Sequence, residues 1–162
     1  MPVTPLRNNV LRLLDSRHVA HRLVHIPTEE KVGAAELAER AGLPPHQVYK
    51  TLVVLRAGKG RPVLAVIPGD CELDLNALRA MVEDDGLHMA TQVEAEHVTG
   101  FKVGAISPLA LLNRGFETAI DSQAMEEAEV FVSAGERGAS LGLAPHDLVT
   151  LTRARVVEGI AR

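Results

Sequence analysis

The chain has 162 residues, with 17 Lys and Arg against 21 Asp and Glu, and 46% of it is hydrophobic. This length suits one domain with a substantial core, and the apolar content is too high for a disordered chain. The longest apolar stretch, residues 103–112, contains glycine and proline and is well short of the roughly 20 apolar residues that cross a bilayer.

Two further features of composition bear on location and chemistry. The N-terminus lacks the basic region and apolar run of a secretion signal, and Cys71 is the only cysteine, so an internal disulfide cannot form. We therefore expect a cytosolic protein without a membrane partner. Aromatic residues make up 2% of the chain, which predicts an aliphatic core and no stacked aromatic platform.

The first half of the chain alternates helix and strand signals. Thr4 before Pro5 predicts the cap of a first helix, and Gly42 predicts the end of a second. Two β-branched runs follow, and the glycine-rich turn between them predicts a buried hairpin. In chain order the predicted elements are a helix at 5–16, a strand at 20–26, a helix at 34–41 and strands at 48–55 and 63–67.

Capping residues also begin the helices predicted for the second half. Asp74 caps one helix, and Thr91 with Glu94 forms a capping box for another, which Gly100 ends. Strands are predicted at 118–120, 129–133 and 156–160, with a last helix beginning at Pro145. Because helices and strands intermix with short connections, we predict an α+β domain with a mixed sheet flanked by helices.

Charged residues are distributed unevenly. Residues 43–69 hold four basic residues and no acid, residues 97–116 hold Lys102 and Arg114 and no acid, and eight acids lie between the two segments. The two acid-free segments could fold into a surface that attracts an anion. They could equally be buried strands, which carry few charges of either sign.

Candidate metal ligands and nucleophiles are weak. His18, His21 and His25 have the spacing of ligands on a helix, but the segment is better read as extended chain and no further ligand completes a set. The sequence thus predicts neither a metal nor a cofactor. Ser107 does not fit a nucleophile elbow because Pro108 stands where glycine is needed.

The glycine-rich segment at 100–108 and Lys50 are stronger candidates for a binding site. The glycines of residues 100–108 allow peptide N–H groups to approach an anion or a developing oxyanion. Lys50 stands at the start of an apolar strand. It either supplies a compact charge for a phosphate or carboxylate, or extends to solvent at the margin of the sheet.

Residues 34–52 support a different interpretation, a bacterial helix-turn-helix with Gly42 in the turn. Gln47 and Lys50 would then contact DNA bases. Against this interpretation, the second helix would continue into residues 51–55, whose composition is that of a strand.

Five motifs occur in chain order across nearly the whole sequence. They are Val48-Tyr49-Lys50-Thr51-Leu52, Leu73-Asp74-Leu75, residues 99–109, Val132-Ser133-Ala134-Gly135 with Arg137-Gly138, and Leu143-Ala144-Pro145-His146-Asp147-Leu148. Together they resemble the YbaK/EbsC family of aminoacyl-tRNA deacylases, which are related to the editing domain of bacterial prolyl-tRNA synthetases. The resemblance implies one compact domain over residues 1–162, with a mixed, mostly antiparallel and barrel-like sheet.

The resemblance also implies an activity, the hydrolysis of the ester between a wrongly attached amino acid and the 3′-terminal adenosine of tRNA. Cys-tRNA(Pro) is the expected substrate, attacked by its own thiol or by water that the terminal ribose positions. Lys50 would hold the terminal nucleotide, and the backbone of the Gly104 loop would lie against the ester. The expected catalytic residues are Lys50, Gly104 and Ser107, and the expected binding residues are Tyr49, Thr51, Gly100, Phe101, Pro108, Ser133, Gly135 and Arg137.

The implied partners are the 3′ end of aminoacyl-tRNA and prolyl-tRNA synthetase, with the oligomeric state open between monomer and homodimer. Ser140 stands where Cys-specific members often have Asp, Ile26 stands near a Tyr position, and Ala105 replaces a common Gly. These differences concern the amino-acid specificity more than the reaction. Two alternatives remain: a non-catalytic tRNA- or ligand-binding module of the same fold, and the helix-turn-helix regulator.

Overall fold

The computed structural model describes residues 8–162, so the cap predicted at Thr4 and Pro5 lies outside the described residues. The first described helix, α1 (Asn9–Ser16), begins after Asn8, whose side chain accepts a hydrogen bond from the Leu11 N–H. Asn is a favoured N-cap residue because its side chain satisfies one of the free N–H groups of the first turn.

The other helices and the strands follow the predicted order with two additions. The helices are α2 (Ala34–Ala41), α3 (Leu75–Val82), α4 (Gln92–Thr99) and α5 (Pro145–Thr152), with 3₁₀ turns at Pro45–Gln47 and Ser122–Glu126. The strands are β1 (His21–His25), β2 (Tyr49–Leu55), β3 (Val63–Pro68), β4 (His88–Met89), β5 (Glu117–Asp121), β6 (Val130–Ser133), β7 (Ala139–Leu143) and β8 (Arg155–Val157). Strands β4 and β7 were not predicted. None of the helices among residues 8–162 is long and apolar enough to span a bilayer.

The strands form two sheets. The larger has the order β4-β2-β3-β5-β8 and the smaller the order β1-β7-β6. Four strand pairs are antiparallel, and β3-β5-β8 are parallel. The α+β fold with a mixed, mostly antiparallel arrangement is confirmed. The barrel-like closure is wrong: within residues 8–162 the two sheets are joined through one parallel bridge, between Val48 and Phe131.

The structure also excludes the helix-turn-helix. After α2, Pro45–Gln47 form a single 3₁₀ turn and Tyr49 begins β2, where a recognition helix would have to continue. The β-branched run of β2 is stabilised instead by antiparallel pairing with β3, in which Val54 lies opposite Val63.

The last predicted strand, at 156–160, is displaced. Strand β8 ends at Val157, and Gly159 then adopts φ +76°, which turns the chain away from β5.

Helices cover both faces of the larger sheet. Successive side chains of a strand point to opposite faces, so β2 and β3 contribute to two separate clusters. The cluster on the α3 side contains Val54, Ala65, Ile67, Leu78 and Leu87. The cluster on the α4 side contains Val53, Leu64, Ala95, Ile106 and Leu111. The loop between α4 and β5 is therefore packed against the sheet and held in place.

Arg56 connects the β2–β3 hairpin to two carboxylates. Its Nη1 donates to Asp84 Oδ2 at 2.9 Å and its Nη2 to Glu117 Oε2 at 2.8 Å. The Arg56 hydrogen bond, with a further one from the Gly86 N–H, lowers the pKa of Asp84. A carboxyl group with a lowered pKa stabilises the fold above its ordinary pKa, and this contribution is lost as the pH falls through the folded-state pKa.

We therefore expect Arg56→Met to reduce the acid sensitivity of the fold. Between pH 7 and the range below about pH 4, the melting temperature of the wild type should fall further than that of the variant. The variant keeps only the part of the Asp84 contribution that comes from the Gly86 N–H, so it has less to lose on acidification. Thermal unfolding across this pH range measures the difference. Arg40→Met, which removes an exposed ion pair with Glu36, is the control. Its melting temperature should fall with pH by the same amount as that of the wild type. Equal acid sensitivity of Arg56→Met and wild type would contradict the prediction.

Candidate active site

A cavity of about 360 Å³ opens along one edge of β2 and is lined by residues of both sheets. This volume lies in the range of small-molecule sites, about 300 to 1,000 Å³. The lining comprises residues 31–34 and 48–53, the segment 89–92 with Ala95, the loop residues Val103, Gly104 and Ile106, Leu37, and Ser133 with residues 138–140.

The cavity lies where β2 lacks a partner strand. On one edge β2 pairs with β3 from Tyr49 to Val54, whereas on the other edge β4 pairs only with Val54 and Leu55. The carbonyl of Val53 accepts the Ala90 N–H on the β4 edge. Because backbone groups two residues apart point the same way in a strand, the N–H and C=O of Thr51 also face this edge. No described strand pairs with them there, so both groups are available to a ligand.

Of the residues in the range 8–162, two lysines and no carboxylate line the cavity. Lys50 is half-buried and Lys31 is exposed, and neither side chain forms an ion pair or hydrogen bond with a residue in the range 8–162. An unopposed pair of ammonium groups attracts an anion. Both acid-free segments contribute to this cavity, through Lys50 and through the loop at Gly104. The alternative explanation, that an acid-free segment is a buried strand, holds for β3, in which every residue is buried.

Two residues of the loop at 100–108 that line the cavity have N–H groups without an acceptor among the described residues. The N–H groups of residues 100, 101, 103 and 105 each donate within the protein. Those of Gly104 and Ile106 donate to no atom of the described chain, and both residues line the cavity. Gly104 has φ +96°, a conformation that side chains with a Cβ rarely adopt. Two preorganised N–H donors in a partly enclosed site can stabilise an oxyanion.

Arg137 links two segments of the cavity wall. Its Nε donates to the Val103 carbonyl at 3.0 Å and its Nη1 to the Glu29 carbonyl at 2.8 Å. We call this pair of contacts the Arg137 link. The guanidinium therefore uses two of its nitrogens to hold backbone carbonyls, so Arg137, expected among the binding residues, is not a free cation. Gly104 lies directly beside it, since a Cβ there would be 3.5 Å from Arg137 Cγ.

The residues predicted for the site fall into three places. Tyr49, Lys50, Thr51, Gly104 and Ser133 line the cavity. Gly100, Phe101, Gly135 and Arg137 line a shallower depression beside it. Ser107 and Pro108 are buried and line neither, and the Ser107 Oγ accepts the Leu109 N–H. The structure thus does not bring the Ser107 hydroxyl to the cavity, because the loop turns this side chain into the core.

Two buried hydroxyls near the cavity lack a hydrogen-bond partner among the described residues, those of Tyr49 and Thr51. Burial is the main cause that raises the pKa of Tyr49, and the nearby carboxylates of Asp121 and Glu127 raise it further. The phenol therefore stays neutral. Burial, with Asp70, also raises the pKa of the Cys71 thiol, which reduces its thiolate fraction.

Sequence reasoning missed part of the lining. Lys31 and Ala95 carry no motif of their own, because an isolated lysine in a loop and an apolar residue on a helix resemble ordinary surface and core. Ile106 lies within the motif at residues 99–109 but was not among the predicted site residues. Ser140, noted only as a departure from the family pattern, is buried in β7 and lines the cavity.

Comparison with known proteins agrees with this geometry. Residues 28–151 match the aminoacyl-tRNA editing domain family, and the chain belongs to that family. EbsC of Enterococcus faecalis, provisionally named a Cys-tRNA(Pro)/Cys-tRNA(Cys) deacylase, is 31% identical over 96% of this chain and 94% of its own length. The proline–tRNA ligase of Geobacter metallireducens is 33% identical over 62% of this chain, which is 17% of the ligase.

Solved structures give the same result. A crystal structure of a protein provisionally described as a trans-editing enzyme for prolyl-tRNA synthetase superposes with a TM-score of 0.78 and 26% identity, covering 95% of this chain and 98% of that one. The hypothetical protein APE2540 superposes with a TM-score of 0.84 and 26% identity over 96% of this chain and 100% of its own. The resemblance inferred from the motifs is confirmed.

Proposed function

We propose that this protein is an aminoacyl-tRNA deacylase that removes a wrongly attached amino acid from tRNA, with Cys-tRNA(Pro) as its substrate. The observation that carries the proposal is the cavity itself. It combines ammonium groups and no carboxylate with two free peptide N–H groups, at Gly104 and Ile106. Membership of the editing-domain family supplies the reaction class.

Each part of the cavity has a role in ester hydrolysis. Lys50 binds a phosphate of the terminal nucleotide as a compact charge. The N–H groups of Gly104 and Ile106 donate to the carbonyl oxygen as it gains negative charge in the tetrahedral intermediate. Among residues 8–162 no His or Cys lines the cavity, and we assign the nucleophile to the substrate side. Water held by the terminal ribose adds to the ester carbonyl, and the ribose oxygen leaves with a proton. Alternatively the cysteine thiol adds to the carbonyl, the ribose oxygen leaves, and water then opens the cyclic thioester that has formed.

The proposal extends to the setting of the reaction. The whole chain, residues 1–162, acts as one editing domain in the cytoplasm, and the 3′ end of aminoacyl-tRNA is its main partner. The partial match to proline–tRNA ligases supports prolyl-tRNA synthetase as the source of the mischarged substrate.

A deacylation panel tests the proposal. Purified protein is incubated with Cys, Ala, Ser and Pro esters on tRNA(Pro) and with Cys on its own tRNA, and the remaining ester is measured over time. We expect Cys-tRNA(Pro) to be hydrolysed fastest. A non-catalytic module of the same fold would bind these substrates, but each ester would hydrolyse at its uncatalysed rate. That result would overturn the proposal.

A further inference from the structure

One end of the cavity is apolar. Val53, Ala95 and Ile106 pack together in the core on the α4 side, and the partly buried Ala90 and Val103 pack against them. All five side chains also line the cavity, and we call them the apolar end. Two of the five residues, Ala90 and Ala95, contribute only a methyl group each.

The Thr51 hydroxyl belongs to the same face of β2 as part of the apolar end. Thr51 precedes Val53 by two residues in β2, so both side chains point to the same face of the sheet. The Thr51 Oγ1 is buried and has no hydrogen-bond partner among residues 8–162. A buried hydroxyl without a partner destabilises the free protein, and a ligand group that pairs with it recovers that free energy.

The other buried hydroxyl without a partner lies in different surroundings. Tyr49 belongs to the core cluster that includes Val66 and Ile120, and its hydroxyl is close enough to Asp121 and Glu127 for both to raise its pKa. Thr51 is therefore the unpartnered hydroxyl that adjoins the apolar end.

We infer that Thr51 determines amino-acid specificity: its hydroxyl hydrogen-bonds the thiol or hydroxyl of the substrate's amino-acid side chain, while the apolar end surrounds the methylene. This inference rests on the proposed deacylase function. Thiols and hydroxyls both donate and accept hydrogen bonds, so Cys and Ser esters gain from Thr51. An Ala ester has no such group and leaves the Thr51 hydroxyl unpaired.

A shape-conserving substitution separates recognition from folding. Thr51→Val replaces the hydroxyl with a methyl group of similar size and removes a buried polar atom that has no partner. We expect the melting temperature of Thr51→Val to equal or exceed that of wild type, because nothing in the free protein bonds to the lost hydroxyl. A loss of activity in this variant then reflects the substrate and not the fold.

The experiment compares kcat/KM on Cys-, Ser- and Ala-tRNA(Pro) for wild type, Thr51→Val and Thr51→Ser. We expect Thr51→Val to lower the values for Cys and Ser esters by about three- to tenfold and to leave the Ala value within about twofold. Thr51→Ser keeps the hydroxyl and should retain the preference for Cys and Ser over Ala. Thr118→Val, the same change in the neighbouring part of the sheet but outside the cavity lining, is the matched control.

Other outcomes would overturn the inference. Equal losses on all three esters would place Thr51 against the ribose or ester, and no loss on any ester would remove it from recognition. Unfolding of Thr51→Val would show that the hydroxyl has a partner in the free protein, and Thr51→Ala would then be assayed on the same three esters. A wild-type protein that hydrolyses none of the esters would refute the deacylase function itself, which is a separate result.

Discussion

Lys50→Ala is expected to lower kcat/KM for deacylation by about 10- to 100-fold, the range for loss of one charge-assisted hydrogen bond to phosphate. Lys50 lies near the start of β2 and lines the cavity, and its ammonium forms no ion pair or hydrogen bond with another described side chain. Its charge therefore remains available for the terminal nucleotide. Kinetics on Cys-tRNA(Pro) at fixed ionic strength measure the loss.

The fold should be unaffected by this substitution. Lys50 is half-buried through its aliphatic stem and has no ion partner to leave behind, so urea unfolding of Lys50→Ala should match wild type closely. Lys50→Arg keeps the charge in a different shape and should recover part of the rate. Lys59→Ala, an exposed lysine in the hairpin turn, is the control with wild-type kinetics. Unchanged turnover in Lys50→Ala would remove Lys50 from the site.

Gly138→Ala is expected to destabilise the protein by about 3 kcal/mol or more, the cost of a strained conformation together with overpacking. Gly138 has φ +78°, and an added Cβ would collide with the backbone carbonyl oxygen of Ile26. That carbonyl cannot move freely, because the Ile26 N–H donates to the Gly138 carbonyl at 2.8 Å where β1 meets β7. Urea unfolding at neutral pH measures the effect.

Gly42→Ala is the matched comparison for this prediction. Gly42 ends α2 with φ +68°, but nothing lies within 4 Å of a Cβ there. The Gly42→Ala variant should lose about 1 kcal/mol of the free energy of unfolding, which is the cost of placing a residue with a Cβ in the left-handed conformation. If the two variants were equally stable, the contact with Ile26 would not explain the glycine at 138.

Local signals predicted much of the fold. The capping box at Thr91 and Glu94 and the terminating glycine at 100 define α4 as the structure shows it. The hairpin of β2 and β3 was equally clear, because β-branched runs on both sides of a glycine turn have few alternatives. In each case the residues that determine the element are close together in the sequence.

Elements that depend on distant residues were not predictable in the same way. Strand β7 is rich in small residues and contains Gly142, which is required because the Phe131 ring of β6 lies against it. Pairing with β6, which directly precedes it in the chain, and with β1, which is far back in the chain, stabilises this strand, and its own composition does not indicate either pairing. The separation of the strands into two sheets also depends on pairing that the local sequence does not indicate.

In the candidate site, too, some features were predictable from the sequence and others were not. Lys50 and Gly104 were predicted together from family motifs, and the structure places both on one cavity. The Ser107 side chain is directed inward and Arg137 is occupied by backbone carbonyls. Neither outcome could be read from the motif, since a motif gives residue types and spacing but not the direction in which a loop turns its side chains.

The Arg137 link has a consequence for how the cavity can change shape. One side chain holds the carbonyls of Val103 and Glu29, which are 74 residues apart in numbering (103 − 29), so these two segments shift together or the contacts break. An opening that admits a bulky acyl group and keeps this link therefore moves the two segments as one unit or comes from elsewhere in the lining, such as Thr91 and Gln92. In either case the glycine loop cannot widen the cavity alone, and selectivity for acyl size depends on how firmly its neighbours are held.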